Sequence, residues 1–296
     1  MKIIMYHYVR PKSIDNGNLR YLTYDQFQSQ LDFFEKEYGF LTIQEFKHNF
    51  ENNILSKKVL LTFDDGLIDH FDYVFPVLKE RNIKGIFYVP TSILINNKTL
   101  NVHKIHYLLS KIDAKSVYSQ AKKIINGFEI KNLKPIKKEA YSYSKHDDYE
   151  LKLKKLFNYK LSFDEANVTT DSLISHFNLN ENISNEIYLN ENQIKEMYDN
   201  GQVFGSHTEN HKILSSLSYE NQMLEIKNSF SKLSKYVDDD FKSISYPFGY
   251  KFTYNADTFT VLKKQKIDYA FVFDNRIMSS FNKYEISRID CNNFIQ

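Results

Sequence analysis

The stretch VLLTFDDG, Val59–Gly66, decides the fold. It is an unbroken apolar run that stops on two carboxylates and a glycine. Continuous runs of this kind belong to strands buried on both faces, as in a parallel sheet covered by helices. Comparable runs occur at Lys2–Tyr6, Gly85–Val89, Gln202–Gly205, Ser243–Tyr246 and Tyr269–Phe273. Helical patterns lie between them. Tyr24–Tyr38 puts Phe27, Leu31 and Phe34 on one face, Val74–Lys84 carries Val77 and Leu78, and Tyr219–Val237 repeats Met223, Ile226, Phe230 and Leu233. This alternation predicts an α/β barrel in preference to an open doubly wound sheet.

A barrel gives residues scattered along the chain one address, because active sites of such folds sit at the C-terminal ends of the strands. His7 follows the first run, Asp64 and Asp65 end the second, His207 follows another, and Tyr246 with Pro247 ends a later one. All are expected to converge in one cleft. From about 96 to 188 strands vanish, Lys and Asn become frequent, and helical patterns such as Val102–Lys111 and Tyr149–Leu156 take over. The chain, 1–296, is therefore read as a single domain interrupted by a helical insertion, a lid or substrate-selecting subdomain.

Composition narrows the function. The 39 Lys and Arg nearly cancel the 37 Asp and Glu, which argues against bulk nucleic-acid or polybasic membrane binding. The 22 Tyr and 24 Phe supply sugar-stacking surfaces or, more simply, fill a core. One cysteine, Cys291, excludes an intramolecular disulfide and fits a reducing compartment. The N-terminal MKIIMYHYVR shows no secretory pattern, and no stretch approaches the roughly 20 apolar residues that cross a bilayer. A soluble cytoplasmic protein is expected.

The chemistry lies in two segments, TFDDG and SHTENH at Ser206–His211. His207 and His211 are at i, i+4, so a short helical turn would put both rings on one face, with Gly205 permitting a tight exit from the strand. Two surface histidines also meet that spacing by chance. Asp64 and Asp65 stand where a buried strand reaches the rim, and adjacent carboxylates are costly there without a cation or donors. One of them capping the next helix is the alternative. Asp69 and Asp72, farther along, read as solvent-exposed helix positions. One Asp and two His leave positions on a divalent metal open for water and substrate. Zinc is the default, and iron, manganese, cobalt or nickel suit the same set. A nearby carboxylate would take the proton from water acidified by the metal, and Asp64 is placed for that role.

These residues resemble the polysaccharide deacetylases, the NodB-homology carbohydrate esterases. TFDDG looks like the family's first motif and SHTENH like its second. The resemblance makes Asp64 the catalytic base and Asp65, His207 and His211 the metal ligands, with the Thr208 hydroxyl helping to hold the loop. It also implies a distorted (β/α)7 barrel, covering Lys2–Thr91 and Glu191–Asp290 and leaving the helical insertion unexplained. SYPFGY at Ser245–Tyr250 looks like the third motif, where Tyr246 and Pro247 would wall the groove and a backbone amide near Tyr246 would steady the oxyanion. The arginine expected shortly before that motif to orient the base is absent. Lys242 is the nearby cation, and Arg288 of the last strand is the candidate substitute. No histidine follows His211, so the late general-acid motif is missing as well. MYHYV at Met5–Val9 resembles the motif of a circularly permuted subgroup that carries it at the front, which makes His7 the candidate acid. A hydrogen-bonded core histidine at a strand end is the alternative.

The implied reaction is hydrolysis of an N-acetyl group on an amino sugar. The expected partner is a carbohydrate, nucleotide- or lipid-linked, in lipopolysaccharide or capsule synthesis. An O-acetyl or other amide hydrolase remains open. So does a noncatalytic glycan-binding homologue, which the absent arginine would favour.

Overall fold

The computed structural model describes residues 1–12, 19–96, 98–127, 148–180 and 183–294. Strand β1 (Lys2–Tyr6) opens the chain, and β2 (Val9–Arg10) and β3 (Leu22–Thr23) form a small parallel pair of their own. β4 (Val59–Phe63), β5 (Gly85–Val89), β6 (Val203–Ser206), β7 (Ser243–Ser245), β8 (Tyr269–Phe273) and β9 (Ile286–Asp290) join β1 in a closed, all-parallel barrel of seven strands. The fold is the α/β barrel that the apolar runs predict.

Register explains which side chains face which way. Tyr6, Phe63, Phe87 and Phe204 are cross-strand neighbours. Their rings form a continuous row, with centroids 5.1, 4.7 and 5.7 Å apart. The Tyr6 hydroxyl donates to Gln30 Oε1 of the helix Tyr24–Glu37 at 2.8 Å, and Phe27 meets Tyr6 edge-on, so this row faces the outer helices. The strand period of two then turns Met5, Thr62, Tyr88 and Gly205 into the barrel. On the far side, Ile244, Ala270 and Val272 pack outward on Ile226 of the helix Tyr219–Lys232 and on Val261 and Leu262 of Ala256–Lys264. Each of the buried Ile, Val and Leu side chains contributes about 1.5–3 kcal/mol.

One end of the barrel interior is closed by aromatic side chains. Helix Ile43–Glu51 starts at a capping box in which Thr42 Oγ1 accepts from Glu45 N–H while the Glu45 carboxylate accepts from Thr42 N–H. Its Phe46 lies 5.2 Å from the Tyr269 ring and 6.0 Å from Phe271, and Phe50 adds a second contact to Tyr269. Gly205 has a packing reason rather than a turn reason. A Cβ there would lie 2.5 Å from Tyr88 Cε1 and 2.7 Å from Ser243 O, so only glycine admits the Tyr88 ring.

After β4 the chain does not enter an α-helix directly. His70–Val74 forms a π-helical turn, and Phe75–Glu80 continues as α-helix, where the sequence pattern suggests one helix from Val74. The chain divides into two compact units: Met1–Ser13, Tyr21–Asn97 and Asn185–Gln296, which include the barrel, and Ile14–Arg20 with Lys98–Ser184. The second unit is helical, with Asn101–Lys111, Ala114–Gly127, Asp148–Lys155 and Phe163–His176 closing on a core that includes Leu108, Val117, Leu153 and Leu173. Among the described residues no helix is long and apolar enough to cross a membrane.

Candidate metal and catalytic site

The C-terminal ends of the barrel strands bring together His7, Asp64, Asp65, His207 and Arg288, with His211 on the loop after β6. Asp65 occupies the centre. Its Oδ1 lies 3.4 Å from His207 Nε2 and 3.4 Å from His211 Nε2, and its Oδ2 lies 3.9 Å from His7 Nε2. The Asp65, His207 and His211 donor atoms all fall within 4.8 Å of one another, and all three side chains are buried.

The donor set fits a divalent ion. Two ligands at ordinary zinc distances and a tetrahedral angle stand roughly 3.3–3.5 Å apart, the separation found between Asp65 and each histidine. The tautomer fits as well. His207 Nδ1–H donates to Ser245 O at 2.8 Å, which leaves the Nε2 lone pair directed at Asp65. With Nδ1–H engaged, neutral His207 can offer its Nε2 lone pair to a cation shared with Asp65, and a proton on Nε2 answers the carboxylate charge where no cation is bound. Burial works to lower the His207 pKa, but the charges of Asp64 and Asp65 outweigh it and raise it.

The loop holding the histidines is not a helical turn. Thr208 and His211 both have left-handed backbones, with φ of 64° and 55°, so the two rings meet by a tight non-helical bend. Their centroids lie 4.8 Å apart. The bend is pinned by its own hydroxyls: Thr208 Oγ1 accepts from His211 N–H, and Ser206 Oγ accepts from Thr208 N–H. Glu225 accepts from both the backbone and the side-chain amide of Asn210. Asp65 (φ 78°) and Phe248 (φ 63°) are left-handed too, so four non-glycine residues around one centre carry backbone strain that the surrounding bonds must hold.

Asp64 is enclosed beside the ligand set. Arg288 grips it with a two-pronged contact, Nη1 to Oδ1 at 2.8 Å and Nη2 to Oδ2 at 2.7 Å. The guanidinium also donates to Thr62 Oγ1, Ser245 Oγ and Val272 O, and Ser245 Oγ donates to Asp64 Oδ2. Burial alone would raise the Asp64 pKa; the Arg288 charge, with His207 adding to it, overcomes this and holds it at about 2. Arg288 thus places a guanidinium on Asp64, while Lys242 pairs with Asp239.

Two expectations are corrected. The Tyr246 amide itself is taken by the sheet, donating to Phe271 O at 3.1 Å, so the amide expected near Tyr246 is not that of Tyr246. Its ring is buried against Tyr254, its hydroxyl donates to Tyr284 O, and Pro247 has no N–H. Phe248, the next residue, is the one whose ring reaches His211, at 4.9 Å. Asp69 is likewise not an exposed helix residue. It is 2% accessible and accepts from Arg10 Nε at 2.7 Å and Val9 N–H at 3.2 Å, so the N-terminal segment covers it. Asp72 is exposed.

Residues 51–132 and 171–270, more than half of the chain, match the family model described as polysaccharide deacetylase. No curated protein matches. The fold resembles a Streptococcus pyogenes deacetylase, PplD, solved in complex with acetate, at a TM-score of 0.60 and 22% identity over 98% of this chain and 91% of that one. A de-N-acetylase from Aggregatibacter actinomycetemcomitans gives 0.58 and 15% over 98% and 95%. IcaB from Ammonifex degensii gives 0.54 and 18% over 97% and 90%. With the motif residues gathered at one rim of a seven-stranded barrel, the conclusion is that this chain belongs to the polysaccharide deacetylase family.

Proposed function

We propose that this protein is a metal-dependent N-deacetylase acting on an amino sugar of a surface polysaccharide or its nucleotide- or lipid-linked precursor. One observation carries the reading: a fully clamped carboxylate, Asp64, lies next to an Asp/His/His donor set. A divalent ion held by Asp65, His207 and His211, zinc by default, would acidify water and polarise the acetyl carbonyl. Asp64 stays ionised across the working pH range and accepts the proton of the attacking water. A carboxylate held at about 2 is a weak base, which is why the water must be acidified first. His7, with 40% of its side chain accessible against 6% for Asp65, faces outward and protonates the departing nitrogen. The structural neighbours named as deacetylase and de-N-acetylase favour an N-acetyl bond over other acyl groups.

The noncatalytic alternative drew its support from a missing guanidinium near the base, and the Arg288 contact removes that support. The decisive experiment is acetate release from a panel of free, oligomeric, nucleotide-linked and lipid-linked N-acetyl sugars, with and without chelator. Turnover of at least one member, lost with chelator and restored by metal, is expected. An Asp64→Asn protein that keeps its metal and full turnover would sink the base assignment, and metal content unchanged in a His207→Ala, His211→Ala protein would sink the ligand assignment.

A further inference from the structure

His7 has its position imposed by its neighbours in the chain, several of them tied to the segment that carries Asp64, Asp65, Asp69 and His70, while Tyr8 O accepts from Leu22 N–H of β3. Asp64 N–H donates to Tyr6 O at 3.0 Å. The carbonyl of His7 itself lies 3.0 Å from His70 Nε2; a carbonyl only accepts, so Nε2 carries the proton. Asp69 takes the next residues, accepting from Val9 N–H and from Arg10 Nε, while the Arg10 guanidinium lies over the Tyr8 ring at 4.6 Å. His70 is fully buried between Phe63 and Phe87, and its Nδ1 has no hydrogen-bond partner among the described residues. A buried imidazole with one nitrogen unsatisfied costs about 1–3 kcal/mol, so packing alone would favour phenylalanine there. Asp69, which immediately precedes the π-helical turn, and His70, its first residue, thus both meet the N-terminal segment.

We propose that Asp69 and His70 are positioning residues for His7, fixing its backbone so that the ring stands where it can protonate the leaving nitrogen. The inference rests on the reading of His7 as the acid. In that step the carbon–nitrogen bond breaks, the nitrogen takes a proton from the His7 imidazolium, and His7 is left neutral. An amine must be protonated to leave, whereas 4-nitrophenolate leaves as the anion. Misplacing His7 therefore slows amide cleavage and spares a nitrophenyl ester, while general damage to the barrel slows both.

The test compares N-acetylglucosamine oligomers with 4-nitrophenyl acetate in metal-loaded full-length protein. His70→Phe and Asp69→Ala are expected to lower kcat for the amide about tenfold or more, with ester hydrolysis within about twofold and metal content unchanged. His70→Gln, whose amide can replace the Nε2–H donor, is expected to restore most of the amide rate. Parallel loss on both substrates, or an amide rate that His70→Phe leaves intact while His7→Ala lowers it, overturns the positioning role alone. An undiminished amide rate in His7→Ala overturns the acid assignment, and this inference with it.

Discussion

The two ends of the barrel interior are built on opposite principles. At the closed end Phe46, Phe50, Tyr269 and Phe271 fill the space with rings and bury no ionised group. At the other, Asp64, Arg288, Thr62 and Ser245 fill a similar space with charge and hydrogen bonds. Tyr88 divides them, its ring touching Phe271 and lying 5.9 Å from the Arg288 guanidinium while its hydroxyl donates to Ser243. The closed end is stable because burial and dispersion favour it piece by piece. The polar end depends on its charge pair, because Asp64 and Arg288 are both desolvated and each is tolerated only while the other is present.

That contrast predicts different failures. Arg288→Met should be the most damaging single change, since it leaves a buried carboxylate without its partner. Chemical denaturation should show a loss of about 3–5 kcal/mol, and turnover per folded molecule should fall by about 100-fold or more. Arg288→Lys keeps the charge but not the two-pronged contact, and is expected to recover stability more than activity. Phe46→Ala at the closed end should cost about 3–4 kcal/mol in the same denaturation experiment, yet leave turnover per folded molecule within about twofold. If Phe46→Ala cut turnover as deeply as Arg288→Met, the division at Tyr88 would be wrong.

The apolar end, and most of the fold, was legible because apolar runs are local signals. Lys2–Tyr6, Val59–Phe63, Gly85–Val89 and Tyr269–Phe273 are strands with the bounds their runs suggest. β9 announces itself less clearly, since ISRID has only two apolar residues and its Arg288 is an interior charge whose partners, Thr62, Asp64, Ser245 and Val272, come from other parts of the barrel. Asp64, Asp65, His207 and His211 were legible as motifs. The bend that joins the histidines was not, because two left-handed non-glycine residues contradict local preference and are held by Ser206, Thr208 and Glu225. Asp69 and His70 were hidden for a related reason: their partners, Val9, Arg10 and the His7 carbonyl, lie far off in sequence, and helical periodicity cannot foresee them.

His70 offers a pH test of the same contrast. Desolvation by its apolar surroundings lowers its pKa from 6.5 to about 4, despite the His7 carbonyl and nearby carboxylates that favour the charged form. The unfolded chain binds a proton at His70 below about 6.5 and the folded protein does not until about 4. Stability from this group is therefore full above 6.5 and declines as pH falls through that window, by roughly 3 kcal/mol in all. Denaturation midpoints of the native protein and His70→Gln, measured from pH 7 to 4, should converge as the native protein loses this contribution. Parallel curves would mean that the site is hydrated or already charged.

The smallest expected effect separates holding from reacting at the polar end. Ser245 serves both halves of the site at once, donating to Asp64 Oδ2, accepting from Arg288 Nη2, and accepting on its carbonyl from His207 Nδ1–H. Ser245→Ala removes only the hydroxyl and leaves the carbonyl. The two-pronged Arg288 contact survives, so the loss should be about 1.5–3 kcal/mol of stability, the range for a hydrogen bond to a charged group. Metal content should stay unchanged, because the backbone bond that fixes the His207 tautomer is intact. Turnover should fall by about tenfold through a less firmly held Asp64. Loss of metal in Ser245→Ala would show instead that Asp64 and the Asp65, His207 and His211 donor set are one cooperative unit, and that the polar end fails as a whole when a single hydrogen bond is removed.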